Sequence, residues 1–184
     1  MPEPSRHRVY IFGASGTGTT TLGENIAAEL SLVHVDCDDH YWAPVEPPFS
    51  VKREPHERVA SMSGALGNAG WVLTGACNGW GHGLIEQADL IVFVTLPTPM
   101  RIERLRMREK ARFGNRIEEG GDMCEIHKDF IRWAQGYDDP GFRGRNLAAH
   151  EEWLARQSKP VCRVNSSQSR ETIKSAVISA LRSL

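Results

Sequence analysis

The run Arg8-Val-Tyr-Ile-Phe12 is β-branched and aromatic after its first residue, and it stops at a glycine-rich stretch, Gly13-Ala-Ser-Gly-Thr-Gly-Thr-Thr20. Beyond that stretch Leu22, Ile26 and Leu30 recur at i, i+4 and i+8, the apolar stripe of a helix. A buried strand that turns through glycines directly into a helix is the feature that most constrains this chain. It needs cover on both faces, and that is the environment of a parallel sheet in a layered α/β domain.

The rest of the chain repeats the alternation. Leu32–Val35, Trp71–Thr74, Asp89–Leu96 and Pro160–Val164 read as further strands, the fourth strand of the chain being the most hydrophobic and placed at or near the centre. Helices are expected over about 55–66, 98–112, 122–135 and 146–156, and over a final stretch carrying Ile173, Val177, Ala180, Leu181 and Leu184. Residues 42–55 hold four prolines and are expected to be irregular. Strands alternating with helices imply βαβ units, and ligands of such sheets sit beyond the carboxyl ends of the strands.

With 184 residues, 40% hydrophobic and 24% charged, the chain is a single domain long enough to bury a core without disulfides or a structural metal. A net charge of −1 argues against nucleic-acid binding driven by bulk charge. Cys37, Cys77, Cys124 and Cys162 form no C-x-x-C pair, so neither a zinc knuckle nor a thioredoxin site is indicated. The polar start and the short longest apolar run, Leu90–Val94, lead to the expectation of a cytoplasmic protein with no membrane partner.

The glycine stretch matches G-x-x-x-x-G-K-[ST] at Gly13, Gly18 and Thr20, with Thr19 at the lysine position. Such glycines let successive N–H groups converge on phosphate, and the following helix adds the positive end of its dipole. Thr20 is placed to offer a hydroxyl to Mg²⁺. Loss of a charge-assisted hydrogen bond at position 19 costs about 1.5–3 kcal/mol unless another cation replaces it. A dinucleotide-binding oxidoreductase is the rival: Gly13-x-x-Gly16 opens its pattern and Asp36 sits where a ribose-binding acid would. Thr19 stands at its third glycine, however, and no Tyr-x-x-x-Lys pair occurs.

Gly13 to Thr21 followed by Leu22 resembles the small P-loop kinases: the adenylate and other nucleoside monophosphate kinases, shikimate kinase and gluconate kinase. The resemblance implies a P-loop αβα sandwich with a five-stranded parallel sheet in order 2-3-1-4-5, an acceptor-binding insert over about 40–68 and a lid over about 104–145. It implies ATP and Mg²⁺, with Gly13, Ala14, Ser15, Gly16, Thr17, Gly18, Thr19, Thr20 and Thr21 around the phosphates and Thr20 with Asp36 on the metal.

Asp36-Cys-Asp-Asp-His40 follows the second strand. Read as extended chain, Asp36 and Asp38 face one way, so one carboxylate can hold a metal-bound water while the other takes a proton from a hydroxyl. It is similar to the D-x-D of shikimate and gluconate kinases, which makes Asp38 the base if the acceptor is an alcohol; for a nucleotide acceptor the pair would serve the metal. Asp39 and His40 are neighbours without further zinc ligands at suitable spacing. Gly75 permits close approach of an acceptor, Trp80 could stack on one or wedge the insert onto the sheet, and Arg53 or Arg58 could bind its phosphate or remain solvated.

Between Arg101 and Arg116 lie seven basic and two acidic residues, with Arg104, Arg108 and Arg112 on one helix face. A solvated helix or an RNA-binding patch would also produce such a run. By position in the resembled family, Arg104 stacks on adenine and Arg108 meets the phosphates, with Arg112 and Arg116 further candidates and Asn165–Gln168 near the base. The function expected is ATP-dependent phosphoryl transfer to a nucleoside monophosphate or hydroxylated metabolite. The alternative is an ATP/ADP-binding regulatory module that lost its lysine.

Overall fold

The computed structural model describes residues 6–184. Five strands, β1 (Arg8–Gly13), β2 (Val33–Asp36), β3 (Trp71–Thr74), β4 (Leu90–Thr95) and β5 (Val161–Asn165), form one parallel sheet in the order β2-β3-β1-β4-β5. The helices are α1 (Thr19–Leu30), α2 (Cys37–Tyr41), α3 (Pro55–Leu66), α4 (His82–Ile85), α5 (Thr98–Phe113), α6 (Cys124–Gln135), α7 (Leu147–Ala155) and α8 (Arg170–Arg182). Among the described residues no helix is long and apolar enough to cross a membrane.

Strand alternation divides the core. Val9 and Ile11 of β1 join Val72, Val92 and Val94 against Leu22 and Ile26 of α1 and Ile173, Val177 and Leu181 of α8. Tyr10 and Phe12 point the other way, joining Leu73, Ile91 and Phe93 beneath Met62 and Leu66 of α3, Leu84 and Ile85 of α4, and Leu154 of α7. The rings of Tyr10 and Phe12 stack at 5.3 Å, and Phe12 meets Phe93 at 5.0 Å and Trp153 edge-on at 5.2 Å. A third cluster, Ile102 and Leu105 of α5 with Ile131 and Ala134 of α6, packs these two helices on each other.

Local signals explain the boundaries. Pro55 opens α3 behind a reciprocal Glu54–Glu57 capping box. Asn146 and Ser169 cap α7 and α8 by accepting the N–H groups of Ala149 and Thr172. One expectation is corrected. The acidic stretch after β2 is not extended: Asp36 caps α2, and Asp38 lies in its first turn. The chain turns there because the Asp36 carboxylate accepts the Asp38 N–H at 3.0 Å, a local bond that competes with extension of the strand.

His150 of α7 is buried against Phe12 and Phe93, with Nδ1 at 2.8 Å from the Tyr137 hydroxyl. Burial, helped by Arg145 and opposed by Glu151, pushes its pKa down to about 3. The unfolded chain therefore binds one more proton than the native protein between about pH 3 and pH 6.5. The neutral imidazole's contribution is complete above about pH 6.5 and is lost as pH falls through that window, by up to about 1.4 kcal/mol per pH unit. Urea unfolding of the wild type at pH 7, 6 and 5 should show this slope, and His150→Gln should flatten it.

Candidate active site

The strand ends place the site. Gly13 leads β1 into the loop, which turns tightly because Thr17 donates to the Ala14 carbonyl from both its amide (3.2 Å) and its hydroxyl (2.8 Å). Gly18 precedes α1 at φ 89°, and no side chain caps the helix and no acid lies in its first turn. Its leading N–H groups are therefore available to an anion, with the helix dipole behind them. Thr19 is half-buried at the first helical position, while Thr20 and Thr21 are exposed.

Thr20 and Asp36, sixteen residues apart, meet directly: Thr20 Oγ1 donates to Asp36 Oδ2 at 2.6 Å. The other Asp36 oxygen holds the Asp38 amide. Carboxylate oxygens of Asp36 and Asp38 and the Cys37 sulfur lie within 4.8 Å of one another. The Thr20 hydroxyl and the two carboxylates are hard oxygen donors that fit Mg²⁺. Cys37 does not fit: it is a soft ligand, buried, and burial together with Asp38, Cys77 and Asp36 pushes its thiol well up.

Asp38 meets solvent, yet protein crowds it closely enough that desolvation is the main reason its pKa is raised. The charge of Asp36 raises it further, and Arg145 and Arg108 pull it back. Asp39 is exposed beside it. Gly75 makes room for this turn. Its φ is +90°, and a Cβ there would lie 2.4 Å from Cys37 Sγ and 3.3 Å from Asp36 Oδ1. Thr74, fully buried, bonds His34 Nε2 at 2.9 Å, so the end of β3 keeps its hydroxyl for the interior.

Arg104 reaches from α5 to the turn after β5, donating to Ser166 Oγ at 3.3 Å and to its carbonyl at 3.1 Å, and Nη1 lies 4.0 Å from where a Gly18 Cβ would stand. The glycine loop, Arg104 and the Asn165–Gln168 turn are thus one neighbourhood. Arg108 is half-exposed and bonded through Nε and Nη2 to the buried carboxylate of Glu109 at 3.2 and 3.0 Å. Arg112 and Arg116 lie elsewhere: Arg112 stands over the Phe49 and Phe113 rings, and Arg116 pairs with Glu46 and Asp122.

The segment between β2 and β3 is braced internally. Arg53 Nε donates to the Trp42 carbonyl at 2.9 Å, and Arg58 Nε to the Arg53 carbonyl at 2.7 Å. The buried Arg58 guanidinium lies 4.0 Å over Tyr41 and 5.3 Å over Trp80, whose ring also contacts Tyr41. Two further arginines stand at the site without a motif that marks them. Arg145 Nη2 donates to the Ala76 carbonyl at 3.3 Å beyond β3, its guanidinium stands over Trp133, and its charge lowers the pKa of Asp38 against the effect of burial. Arg101 is fully buried and donates to the Ser15 carbonyl within the loop at 3.1 Å. Its place at the head of the basic run was visible, but a burial that only the loop's approach creates was not.

No family model matches the sequence. The uncharacterized protein YqaC of Bacillus subtilis (strain 168) is 41% identical over 160 residues, which cover 86% of this chain and 88% of that one. The chain belongs to the YqaC family. Among solved structures, a gluconokinase from Sinorhizobium meliloti 1021 matches at TM-score 0.52 and 16% identity, covering 96% of this chain and 92% of the other. A shikimate kinase from Bacteroides thetaiotaomicron matches at 0.50 and 20%, covering 97% and 99%. An uncharacterized protein from Eubacterium ventriosum ATCC 27560 matches at 0.53 and 10%, covering 98% and 100%. This YqaC relative therefore has the fold of the small-molecule P-loop kinases.

Gly75→Ala tests the geometry. The methyl group must displace the α2 turn, and a non-glycine residue in such a conformation costs about 1–3 kcal/mol. Thermal unfolding should record that loss, and the Thr20–Asp36 contact should open.

Proposed function

We propose that this protein transfers the γ-phosphoryl group of ATP to a hydroxyl of a small acceptor, with Mg²⁺ as cofactor. The observation that carries the reading is the Thr20–Asp36 hydrogen bond beside the uncapped start of α1, with Asp38 in the first turn of the helix that Asp36 caps. Loop amides hold the β-phosphate. Thr20 and Asp36 would hold the metal, directly or through water, and when bound it would supply neutralisation of phosphate charge.

Asp38 accepts the proton of the acceptor hydroxyl as its oxygen attacks the γ-phosphorus. The bond from that phosphorus to the bridging oxygen breaks, ADP leaves, and the proton stays on Asp38 until solvent takes it. A carboxylate with a raised pKa retains a proton more readily, so crowding at Asp38 serves this step. In this reading residues 40–68 are the acceptor-binding insert, with Asp39, Arg53, Gly75 and Trp80 around the acceptor. Residues 104–145 are the lid. Arg104 closes on the adenine side, and Arg108 leaves Glu109 for the phosphates. The working compartment is the cytoplasm.

The test is an ATP-consumption screen over hydroxylated metabolites and nucleoside monophosphates. On the acceptor found, Asp38→Asn should lower turnover about a hundredfold or more with ATP affinity little changed. Wild-type turnover should rise with pH through a limb above the ordinary carboxylate range, because the base must be ionised to act. Equal, small effects of Asp38→Asn and Asp36→Asn would remove both from the chemistry. Arg108→Ala should lower turnover far more than it weakens ADP binding, the pattern of a contact made in the transition state. If the wild type binds ATP and phosphorylates nothing, a nucleotide-binding module replaces the kinase.

A further inference from the structure

Arg101 is the most deeply buried charge in the described chain, with no exposed surface at all. Burying a guanidinium is costly unless a counter-charge and a full set of acceptors meet it. Here the acceptors are main-chain carbonyls and a hydroxyl. Nη1 donates to the Ser15 carbonyl at 3.1 Å, both Nη atoms reach the Ala134 carbonyl at 3.4 Å, and Nη2 donates to Thr98 Oγ1. Nε has no partner. The face of the guanidinium lies 4.9 Å over the Tyr137 ring.

No carboxylate among the described residues forms an ion pair with it. The acid that acts on it, Asp138, is exposed and accepts the Thr98 hydroxyl instead. Desolvation, the leading influence on Arg101, favours its uncharged form, with Asp138 and Tyr137 opposing, but an arginine keeps its charge at any working pH. The fold therefore holds a cation with no direct ion pair, and outside α5 and α6 it touches the Tyr137 ring and the carbonyl of Ser15 in the glycine loop.

That contact is specific. The Ser15 carbonyl and the Gly16 N–H are opposite edges of one trans peptide plane, so holding the carbonyl toward α5 turns the Gly16 N–H away from it. A cation on the carbonyl also polarises the amide and strengthens what its N–H donates. Gly16 has φ +87°, and a Cβ there would lie 2.8 Å from the Arg101 carbonyl and 3.1 Å from Leu105 Cγ, so the loop is pressed directly on α5.

Resting on the nucleotide-binding reading, we infer that Arg101 is a positioning residue that supplies, from behind the loop and through the Ser15–Gly16 peptide, the positive charge that Thr19 does not supply from in front. Its counter-ion is the bound polyphosphate. This role is distinct from that of Arg108: Arg101 is in place before any ligand arrives, so it governs affinity for ADP and ATP alike.

Calorimetry with ADP and ATP on four proteins tests it. Arg101→Gln keeps an N–H donor for Ser15 and removes the charge, and it should weaken both ligands at least tenfold. Adding Thr19→Lys to Arg101→Gln should recover most of that loss, which repair of packing alone would not do. Asp138→Asn, at an exposed position compatible with folding, removes the acid that offsets Arg101 and should tighten ADP at least twofold. Arg101→Gln binding within threefold of wild type, no gain from Thr19→Lys, or unchanged or weaker binding in Asp138→Asn would each overturn the inference. The Asp138→Asn arm decides the matter if Arg101→Gln does not fold. Absence of ADP and ATP binding by the wild type at millimolar ligand is a different result, and it removes the nucleotide reading itself.

Discussion

β1 is buried on both faces and hydrogen-bonded on both edges, and the position of every chemical group at the site follows from that. Its residues pair with β3 on one side and β4 on the other, and four consecutive side chains, Val9 to Phe12, are fully buried. A strand held this way cannot slip, because a shift of one residue would exchange its two faces and put Tyr10 and Phe12 under α1. The loop that follows therefore leaves the sheet at a fixed point between two neighbours. The sheet order brings β2, with its acids, within reach of α1 across the end of β3. Thr20 meets Asp36 because α1 returns over that edge of the sheet, and Gly75 leaves the space in which the acids turn.

Much of this was legible. The five strands and the longer helices follow from runs of β-branched and aromatic residues, from the 3.6-residue stripe and from the prolines at 44, 47, 48 and 55. The glycine loop and the acids of the second strand carry local signatures. Effects outside the pattern were illegible. The Asp36 to Asp38 segment looks extended by pattern, and a local side-chain bond back to the chain turns it into a helix. The sequence puts Arg104, Arg108 and Arg112 of the basic run on one helix face, whereas the structure divides the run among different environments. Arg101 is sealed against the loop, Arg104 joins the turn after β5, Arg108 is held by Glu109, and Arg112 and Arg116 lean toward residues 46–49. No periodicity separates these fates, because each depends on what a distant part of the chain places opposite.

The two carboxylates at the end of β2 are chemically unequal although they are two residues apart. Asp36 is engaged at both oxygens, one by the Thr20 hydroxyl and one by a main-chain amide. Asp38 is crowded by protein, raised further by its neighbour's charge, and drawn back by two arginines from distant segments. Asp36 is thus held in place by its hydrogen bonds, whereas the environment of Asp38 acts on its proton affinity. Cys37, between them, takes neither role, because its burial keeps the thiol protonated.

A phosphate loop without its lysine still has to make a polyanion welcome, and the way it does so decides what kind of protein it is. Charge supplied only by mobile side chains would make affinity depend on closure, and the open protein would hold nucleotide weakly. Charge supplied from a rigid interior position acts on the open state as well, at the expense of a buried cation that the empty fold must tolerate. Arg101 is buried behind the loop, while Arg108 is half-exposed and paired with an adjacent glutamate. On the proposed reading, a standing charge for binding and a movable one for turnover would divide between two residues the work of a lysine at position 19. Such a division separates nucleotide capture from phosphoryl transfer, so a chain of this construction can bind ATP firmly and still withhold reaction until its acceptor is in place.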